Sequence, residues 1–169
     1  VDQGYDDLVG SINISAKELN RKNLVNDLST ALDRTGLNPS NLEIELTERM
    51  MIKDKESSIE ILNQIKDIGV YLSIDDFGTG YSSFNYLQKL PIDTIKIDKS
   101  FVSGIDSDIE KLKIIKGIIK MGHDLNIHVL AEGVETEEEF NILESNDCDN
   151  YQGFFFSKPL SSKDFKEIL

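Results

Sequence analysis

The chain has 169 residues, 39% of them hydrophobic and 29% charged, which is typical of one soluble globular domain. Its 31 acidic and 18 basic side chains give a net charge of −13, which argues against binding to nucleic-acid polymers. The single cysteine, Cys148, excludes an intrachain disulfide and is consistent with a reducing compartment. Without a membrane-span pattern or a signal-peptide pattern, we expect a cytoplasmic domain that makes no membrane contact, although its parent protein can be anchored through another segment.

Strand-like and helix-like segments alternate along the chain. The segments with strand character are Ser11–Ser15, Leu42–Thr47, Tyr71–Asp75, Thr94–Asp98, Ile127–Glu132 and Tyr151–Phe156, the last one filled by its three phenylalanines. Apolar residues recur at helical spacing in Ser57–Ile68 and Ile109–Leu125, and Gly36 and Gly69 stand where helices are expected to end. Strands separated by helices predict a parallel sheet, either doubly wound or closed into a barrel. No linker interrupts the pattern, so we expect a single domain over residues 1–169.

Polar and apolar side chains alternate within the first four strand segments, as Ser11 and Asn13 do with Ile12. Such alternation normally indicates an antiparallel sheet with one solvated face, yet each strand is followed by a helix whose apolar stripe needs a sheet to cover. Both observations fit a (β/α)8 barrel whose interior is lined with polar groups and is suited to a ligand. Six βα units fall short of eight, and a complete barrel takes about 250 residues, so we predict a barrel that is incomplete at its N-terminus.

Two adjacent aspartates, Asp75 and Asp76, end the third strand segment and are followed by a loop with Gly78 and Gly80. Neighbouring carboxylates at the end of a buried strand repel each other and are hard to desolvate, so they normally need a cation. Their oxygen atoms suit Mg²⁺ or Mn²⁺. For the pair alone, a solvated Asp-Asp turn is the simpler interpretation, and the metal hypothesis gains its weight from the motifs elsewhere in the chain.

Six short motifs occur in one order along the chain. They are Ser-Ile-Asn-Ile-Ser at 11–15, Glu-Leu-Thr-Glu at 45–48, Asp-Asp-Phe-Gly-Thr-Gly at 75–80, Lys-Ile-Asp-Lys-Ser-Phe-Val at 96–102, Ala-Glu-Gly-Val-Glu at 131–135 and Gln-Gly-Phe at 152–154. From about Val9 to Leu160 the chain thus resembles the EAL domain, the bacterial phosphodiesterase of cyclic di-GMP. The Glu-Ala-Leu motif that names this family, with its metal-binding glutamate, has no counterpart in these 169 residues.

The resemblance implies a two-metal site for Mg²⁺ or Mn²⁺. Asn13, Glu45 and Asp75 match the ligands of one metal, and Asp75 would bridge to a second metal held by Asp76 and Glu132. Two metals about 3.5–4 Å apart can deprotonate a bridging water and stabilise an in-line displacement at phosphorus. An adjacent pair of aspartates suits this chemistry, because one carboxylate can bridge while its neighbour reaches only the second ion.

The resemblance also implies roles around the metals. Lys96 matches a lysine that contacts the attacking water, and Glu48 matches a glutamate that anchors the loop at 75–83. Glu135 and Gln152 match positions around the site that support loop and metal geometry. The predicted catalytic residues are Lys96, Glu132, Glu48 and Glu135, and the predicted substrate-binding residues are Asn13, Asp98, Gln152 and Gly153. Two simpler alternatives remain open, namely that Asn13 is a satisfied core amide and that Lys96 forms a structural ion pair with Glu45 or Asp75.

The implied reaction is metal-dependent hydrolysis of one phosphodiester bond of cyclic di-GMP, which gives linear pGpG. The alternative is a receptor domain that binds cyclic di-GMP without hydrolysing it, although the matched residues are intact and favour the enzyme. By analogy with the family we expect a homodimer and an upstream sensory or GGDEF-type domain. Because the metal-binding glutamate of the naming motif is missing, we expect the 169-residue chain by itself to hydrolyse poorly or not at all.

Overall fold

The structure, a computed structural model, describes residues 8–48, 50, 55–80 and 87–168. The chain divides into two compact units, of which the first ends at Lys96 and the second begins at Ile97. Within the described residues, no helix is both long enough and apolar enough to cross a membrane. The assignment of residues 1–169 to a single domain stays a prediction.

The first unit alternates strands and helices. Its strands are β1 (Gly10–Asn13), β2 (Leu42–Thr47), β3 (Tyr71–Phe77) and β4 (Thr94–Ile97), whose last residue belongs to the second unit. Its helices are α1 (Ala16–Leu19), α2 (Leu24–Thr35) and α3 (Lys55–Ile68), and a 3-10 helix covers Pro39–Asn41. These four strands lie in chain order, and β2 pairs in parallel with both β1 and β3. The predicted class, α/β with parallel strands, is confirmed here.

Local sequence sets where these helices begin and end. At the start of α1, Ser15 Oγ accepts the N–H of Glu18 while the Glu18 carboxylate accepts the N–H of Ser15, which is a capping box. Gly36 ends α2 with a φ of 67° and donates its N–H to the Leu32 carbonyl, and Gly69 follows α3 with a φ of 99°. Both predicted helix ends are confirmed. The first strand was predicted at Ser11–Ser15 but lies at Gly10–Asn13, because Ser15 caps α1.

Side-chain alternation gives β2, β3 and β4 one apolar face and one polar face. The apolar positions are almost completely buried, and they are Ile44, Leu46, Leu72, Ile74, Ile95 and Ile97. Helix α3 contacts β3 and contributes Leu62 and Ile65, which are also fully buried. The apolar face therefore forms core, and the opposite face is left to the polar side chains of the same strands. The predicted division of these strands into one apolar face and one polar face is confirmed.

The second unit contains two strands among its helices. These elements are α4 (Lys99–Val102), α5 (Ile109–Asp124), β5 (His128–Glu132), α6 (Glu137–Glu144), β6 (Asn150–Gln152) and α7 (Ser162–Phe165). Strands β5 and β6 pair in parallel, and α5 packs on β5 through buried side chains that include Ile115 and Ile119. Three successive glutamates fill the first turn of α6, where the helix dipole favours negative charge.

The last strand is shorter than the predicted segment Tyr151–Phe156. It stops at Gln152, because Phe156 donates its N–H back to the Gly153 carbonyl and the chain turns. Phe154, Phe155 and Phe156 are 54%, 40% and 50% exposed, so the expectation that they fill the strand is wrong. The Phe155 and Phe156 rings each lie 5.7 Å from the ring of Phe140 instead.

Candidate functional site

A row of polar side chains crosses three strands of the first unit. Asn13 on β1 is the register partner of Glu45 on β2, which in turn is the partner of Ser73 on β3. Register partners in neighbouring strands project from the same face of a sheet, and Asp75 lies on that face two residues beyond Ser73. Asn13 Nδ2 donates to Glu45 Oε2 at 3.0 Å. The strands thus bring together three of the predicted metal ligands, and Ser73 joins the row as a residue that the sequence analysis did not select.

Lys96 of β4 contacts two of these carboxylates. Its Nζ lies 2.7 Å from Glu45 Oε1 and 3.7 Å from Asp75 Oδ1. The side chains of Lys96 and Glu45 are only 5% and 9% exposed, so each charge depends on the other for compensation. Glu45 therefore uses one oxygen for Lys96 and the other for Asn13. This contact is the structural ion pair considered as the simpler alternative, and the catalytic role of Lys96 stays a prediction.

Glu48, which directly follows β2, holds the loop after β3. It is 2% exposed, and its Oε2 accepts the N–H groups of Gly78 at 3.1 Å and Gly80 at 2.9 Å. The two glycines serve different purposes, because Gly78 has a φ of 97°, whereas a Cβ on Gly80 would lie 2.9 Å from Glu48 Cδ. Asp76, the next-to-last residue of β3, has a φ of 55°, which few residues other than glycine, asparagine and aspartate adopt readily. Glu48 thus bonds the loop as far as Gly80, its role in the site stays a prediction, and positions 81–83 of the predicted loop lie outside the described residues.

The second unit holds the other predicted site residues. Glu132 ends β5 opposite Gln152 of β6, and Gly153 follows directly. A Cβ on Gly153 would come within 2.0 Å of the Val134 carbonyl oxygen, so only glycine lets the end of β6 approach the turn after β5 this closely. Asp98 accepts the N–H of Ser100 at 3.0 Å and so caps α4. The contact of Asp98 with substrate stays a prediction.

Glu135 pairs with Lys99, a residue that the sequence analysis did not select. Both side chains are exposed, so the ion pair itself contributes little to stability. Gly133, with a φ of 70°, lies against the stem of Lys99, since a Cβ there would be 2.4 Å from Lys99 Cγ. The position of Lys99 inside the motif at 96–102 is the only sequence signal that could have drawn attention to it.

The donor atoms of the first unit are chemically suited to a hard divalent cation. Asn13, Glu45 and Asp75 offer amide and carboxylate oxygens, which Mg²⁺ and Mn²⁺ prefer. In this structure the Lys96 ammonium supplies the positive charge beside both carboxylates. Across residues 8–48, 50, 55–80 and 87–168, no group of three His, Cys, Asp or Glu side chains is arranged to hold a metal ion. The donor set therefore fits a metal by its chemistry, and the ligand assignments stay predictions.

Comparison with known proteins decides the family. The family model of the EAL domain matches residues 2–159. The chain belongs to the EAL domain family. The resemblance inferred from the six motifs is therefore confirmed.

Relatives of this EAL domain include proteins of known activity and structure. The cyclic di-GMP phosphodiesterase NbdA of Pseudomonas aeruginosa is 40% identical over 98% of this chain, which spans 21% of NbdA. The solved structure of the PaMucR phosphodiesterase in complex with c-di-GMP has a TM-score of 0.92 and 38% identity, covering 97% of this chain and 66% of that one. The manganese/cy-diGMP complex of Klebsiella pneumoniae BlrP1 has a TM-score of 0.82 and 36% identity, covering 88% of this chain and 38% of that one.

These likenesses confirm the predicted fold class, which is the α/β TIM-type barrel fold of EAL domains. This chain spans only about a fifth of the length of the curated relatives it matches.

Proposed function

We propose that this EAL domain hydrolyses cyclic di-GMP to linear pGpG with two bound divalent metal ions, Mg²⁺ or Mn²⁺. The observation that carries the proposal is the polar row in which Asn13, Glu45, Asp75 and Lys96 meet on one face of β1–β4, with Glu45 and Lys96 buried. The Glu45 carboxylate, only 9% exposed, is costly to desolvate and serves no packing purpose, which points to a functional site. The activity of NbdA and the cyclic di-GMP bound to PaMucR support the same substrate.

The charge of the chain supports a metal requirement. A net charge of −13 repels a ligand that carries two phosphates, and the two carboxylates of the row add to that repulsion locally. Bound cations would reverse the local charge, so the acidic composition is compatible with a small phosphorylated ligand, whereas it argues against nucleic-acid polymers. The manganese in the BlrP1 complex is consistent with this requirement.

The predicted site residues would bind the metal ions and orient the attacking water. Asn13, Glu45 and Asp75 would hold one ion, and Asp75, Asp76 and Glu132 would hold the other. When bound, the ions supply an activated water and neutralise charge at phosphorus. Lys96 would orient the attacking water through Nζ, which lies 2.7 Å from Glu45 Oε1.

The remaining predicted residues would shape the substrate site. Glu48 would keep the loop after β3 in place, and Glu135 would support the turn after Glu132. Asp98, Gln152 and Gly153 are proposed to contact the substrate together with Asn13.

The test compares the 169-residue chain with a version extended at its N-terminus to the length of the solved EAL relatives. Each protein is incubated with cyclic di-GMP and Mn²⁺, and pGpG is followed by chromatography. Asp75→Asn, which is nearly isosteric, should abolish turnover, whereas the exposed Asp67→Asn on α3 is the matched control and should leave it unchanged. Turnover by Asp75→Asn at the wild-type rate would refute the metal site. Equal turnover by the short and extended proteins would contradict the expectation that the short chain is nearly inactive.

A second candidate function is a receptor domain that binds cyclic di-GMP without hydrolysis. The Lys96–Glu45 pair favours it, because the ammonium occupies a carboxylate that a metal would need. Calorimetric binding of cyclic di-GMP with the same affinity in EDTA and in Mn²⁺, and without pGpG formation, would establish the receptor. A homodimer and an upstream sensory or GGDEF-type domain remain proposals by family analogy, and light scattering of the purified protein tests the dimer.

A further inference from the structure

Glu139 is a buried carboxylate that no predicted role explains. It lies in the first turn of α6 and is only 5% exposed. Its Oε1 accepts the N–H of Gly104 at 3.0 Å, and its Oε2 accepts the N–H groups of Glu135 at 2.9 Å and Thr136 at 3.3 Å. A capping box accounts only for the exchange with Thr136. The bond to Gly104, a residue 35 positions away, serves some other purpose.

These bonds connect α4 to the turn that follows β5. At its first residue, α4 is tied to this turn because Lys99 pairs with the Glu135 carboxylate. Just beyond its last residue, α4 is tied to the same turn because Gly104 donates to Glu139, which also holds the N–H of Glu135. The stem of Lys99 in addition lies against Gly133. Glu139 therefore closes a ring of contacts that runs from α4 through the turn and back.

The opposite side of the turn is attached to the end of β6. Val134 is fully buried, donates its N–H to the Gln152 carbonyl at 3.0 Å, and accepts the N–H of Phe155 at 3.0 Å. Gly153 permits this approach, as its missing Cβ would overlap Val134. The turn is thus held between α4 and β6, and Glu132 is the last strand residue before it.

We propose that Glu139 is a positioning residue for Glu132, which it fixes through the turn at 133–136. The inference rests on the proposed function, in which Glu132 is a metal ligand. Groups that orient a ligand from outside the coordination sphere typically change metal affinity by about 10–100-fold when they are replaced. Glutamine at position 139 would keep one acceptor oxygen but present an amide donor to an N–H group, so one side of the ring would open.

The experiment uses the N-terminally extended protein and measures Mn²⁺ affinity by calorimetry, with the Mn²⁺ dependence of hydrolysis as a second measurement. Glu139→Gln should weaken Mn²⁺ binding about tenfold. Glu138→Gln is the matched control, because it removes the same charge from the same helical turn at an exposed position, and it should bind Mn²⁺ like the wild type. Thr136→Ala removes the cap but none of the Glu139 bonds to Gly104 and Glu135, so it should lower the melting temperature without changing Mn²⁺ affinity.

Wild-type Mn²⁺ affinity in a folded Glu139→Gln variant overturns the inference, as does an equal loss of affinity in Thr136→Ala. If Glu139→Gln does not fold, Lys99→Met opens the ring at its exposed pair, and unchanged Mn²⁺ affinity there overturns the inference as well. A wild-type protein that neither binds Mn²⁺ nor hydrolyses cyclic di-GMP overturns the proposed function itself. If the wild type is active, the variants test only the role of Glu139.

Discussion

The buried contact of Lys96 with Glu45 and Asp75 makes a quantitative prediction about cation binding. Lys96→Met keeps the length of the apolar stem and removes the ammonium, which leaves two carboxylates without their positive partner. Breaking a buried ion pair in this way costs about 3–5 kcal/mol of unfolding free energy. Glu45 keeps its bond to Asn13, and Asp75 is less buried, so we expect about 3 kcal/mol, the lower end of that range.

A divalent cation should reverse this loss if the row is a metal site. Mn²⁺ at about 100 times its dissociation constant adds about 2.7 kcal/mol to the stability of a protein that binds it only when folded. The variant should gain more from Mn²⁺ than the wild type, because in the wild type the Lys96 ammonium competes for the same oxygens. The two carboxylates are then compensated by the metal in the variant and by the lysine in the metal-free wild type.

The assay is urea unfolding followed by circular dichroism, in EDTA and in Mn²⁺. Lys120→Met is the control, since its partner Asp124 is 3.0 Å away but both side chains are largely exposed, and such a pair is worth about 0–1 kcal/mol. A loss below about 1 kcal/mol for Lys96→Met in EDTA would refute the buried coupling. Failure of Mn²⁺ to restore stability would refute the cation site. If Mn²⁺ restores the fold but hydrolysis stays lost, Lys96 is catalytic as well as structural.

Three further predictions concern single residues. Glu48→Ala removes the acceptor of the Gly78 and Gly80 N–H groups, so the rate of hydrolysis should fall at least about tenfold. The melting temperature should fall proportionally less, and equal losses in rate and melting temperature would make Glu48 a structural residue. Ser73→Ala should raise the unfolding free energy by about 1 kcal/mol, because the Ser73 hydroxyl is buried without a hydrogen-bond partner among the described residues, and a lower unfolding free energy in urea would contradict this. Burial raises the pKa of the Cys148 thiol from 9.0 to about 11, so its alkylation by iodoacetamide at pH 8 should be about a hundredfold slower than in urea. Since the folded-state pKa is the higher one, stability should fall as pH rises from 9.0 to about 11, and Cys148→Ala should remove that fall.

The sequence by itself determined the fold class, the family and the location of the polar row. Periodicity and helix caps are local properties, so β2 was predicted with its observed bounds and Gly36 was correctly placed at a helix end. The six motifs identified the family because each stands at the end of a strand, where functional side chains of this fold lie. The alternation in β2 and β3 likewise predicted which side chains share a face, since the period of a strand is two.

Tertiary structure decided which of those side chains meet and what each contact does. Lys96 and Glu45 are 51 residues apart, and no local pattern distinguishes a buried ion pair between them from a catalytic lysine. Glu139 stands in an acidic run that by itself indicates only a helix start, yet its bond to Gly104 exists only once α4 and α6 are packed. The run Phe154–Phe156 has strong strand propensity, but the close approach of Gly153 to Val134 turns the chain away from the sheet. In each case the deciding contact joins residues far apart in sequence, and packing between elements, not local preference, brings them together.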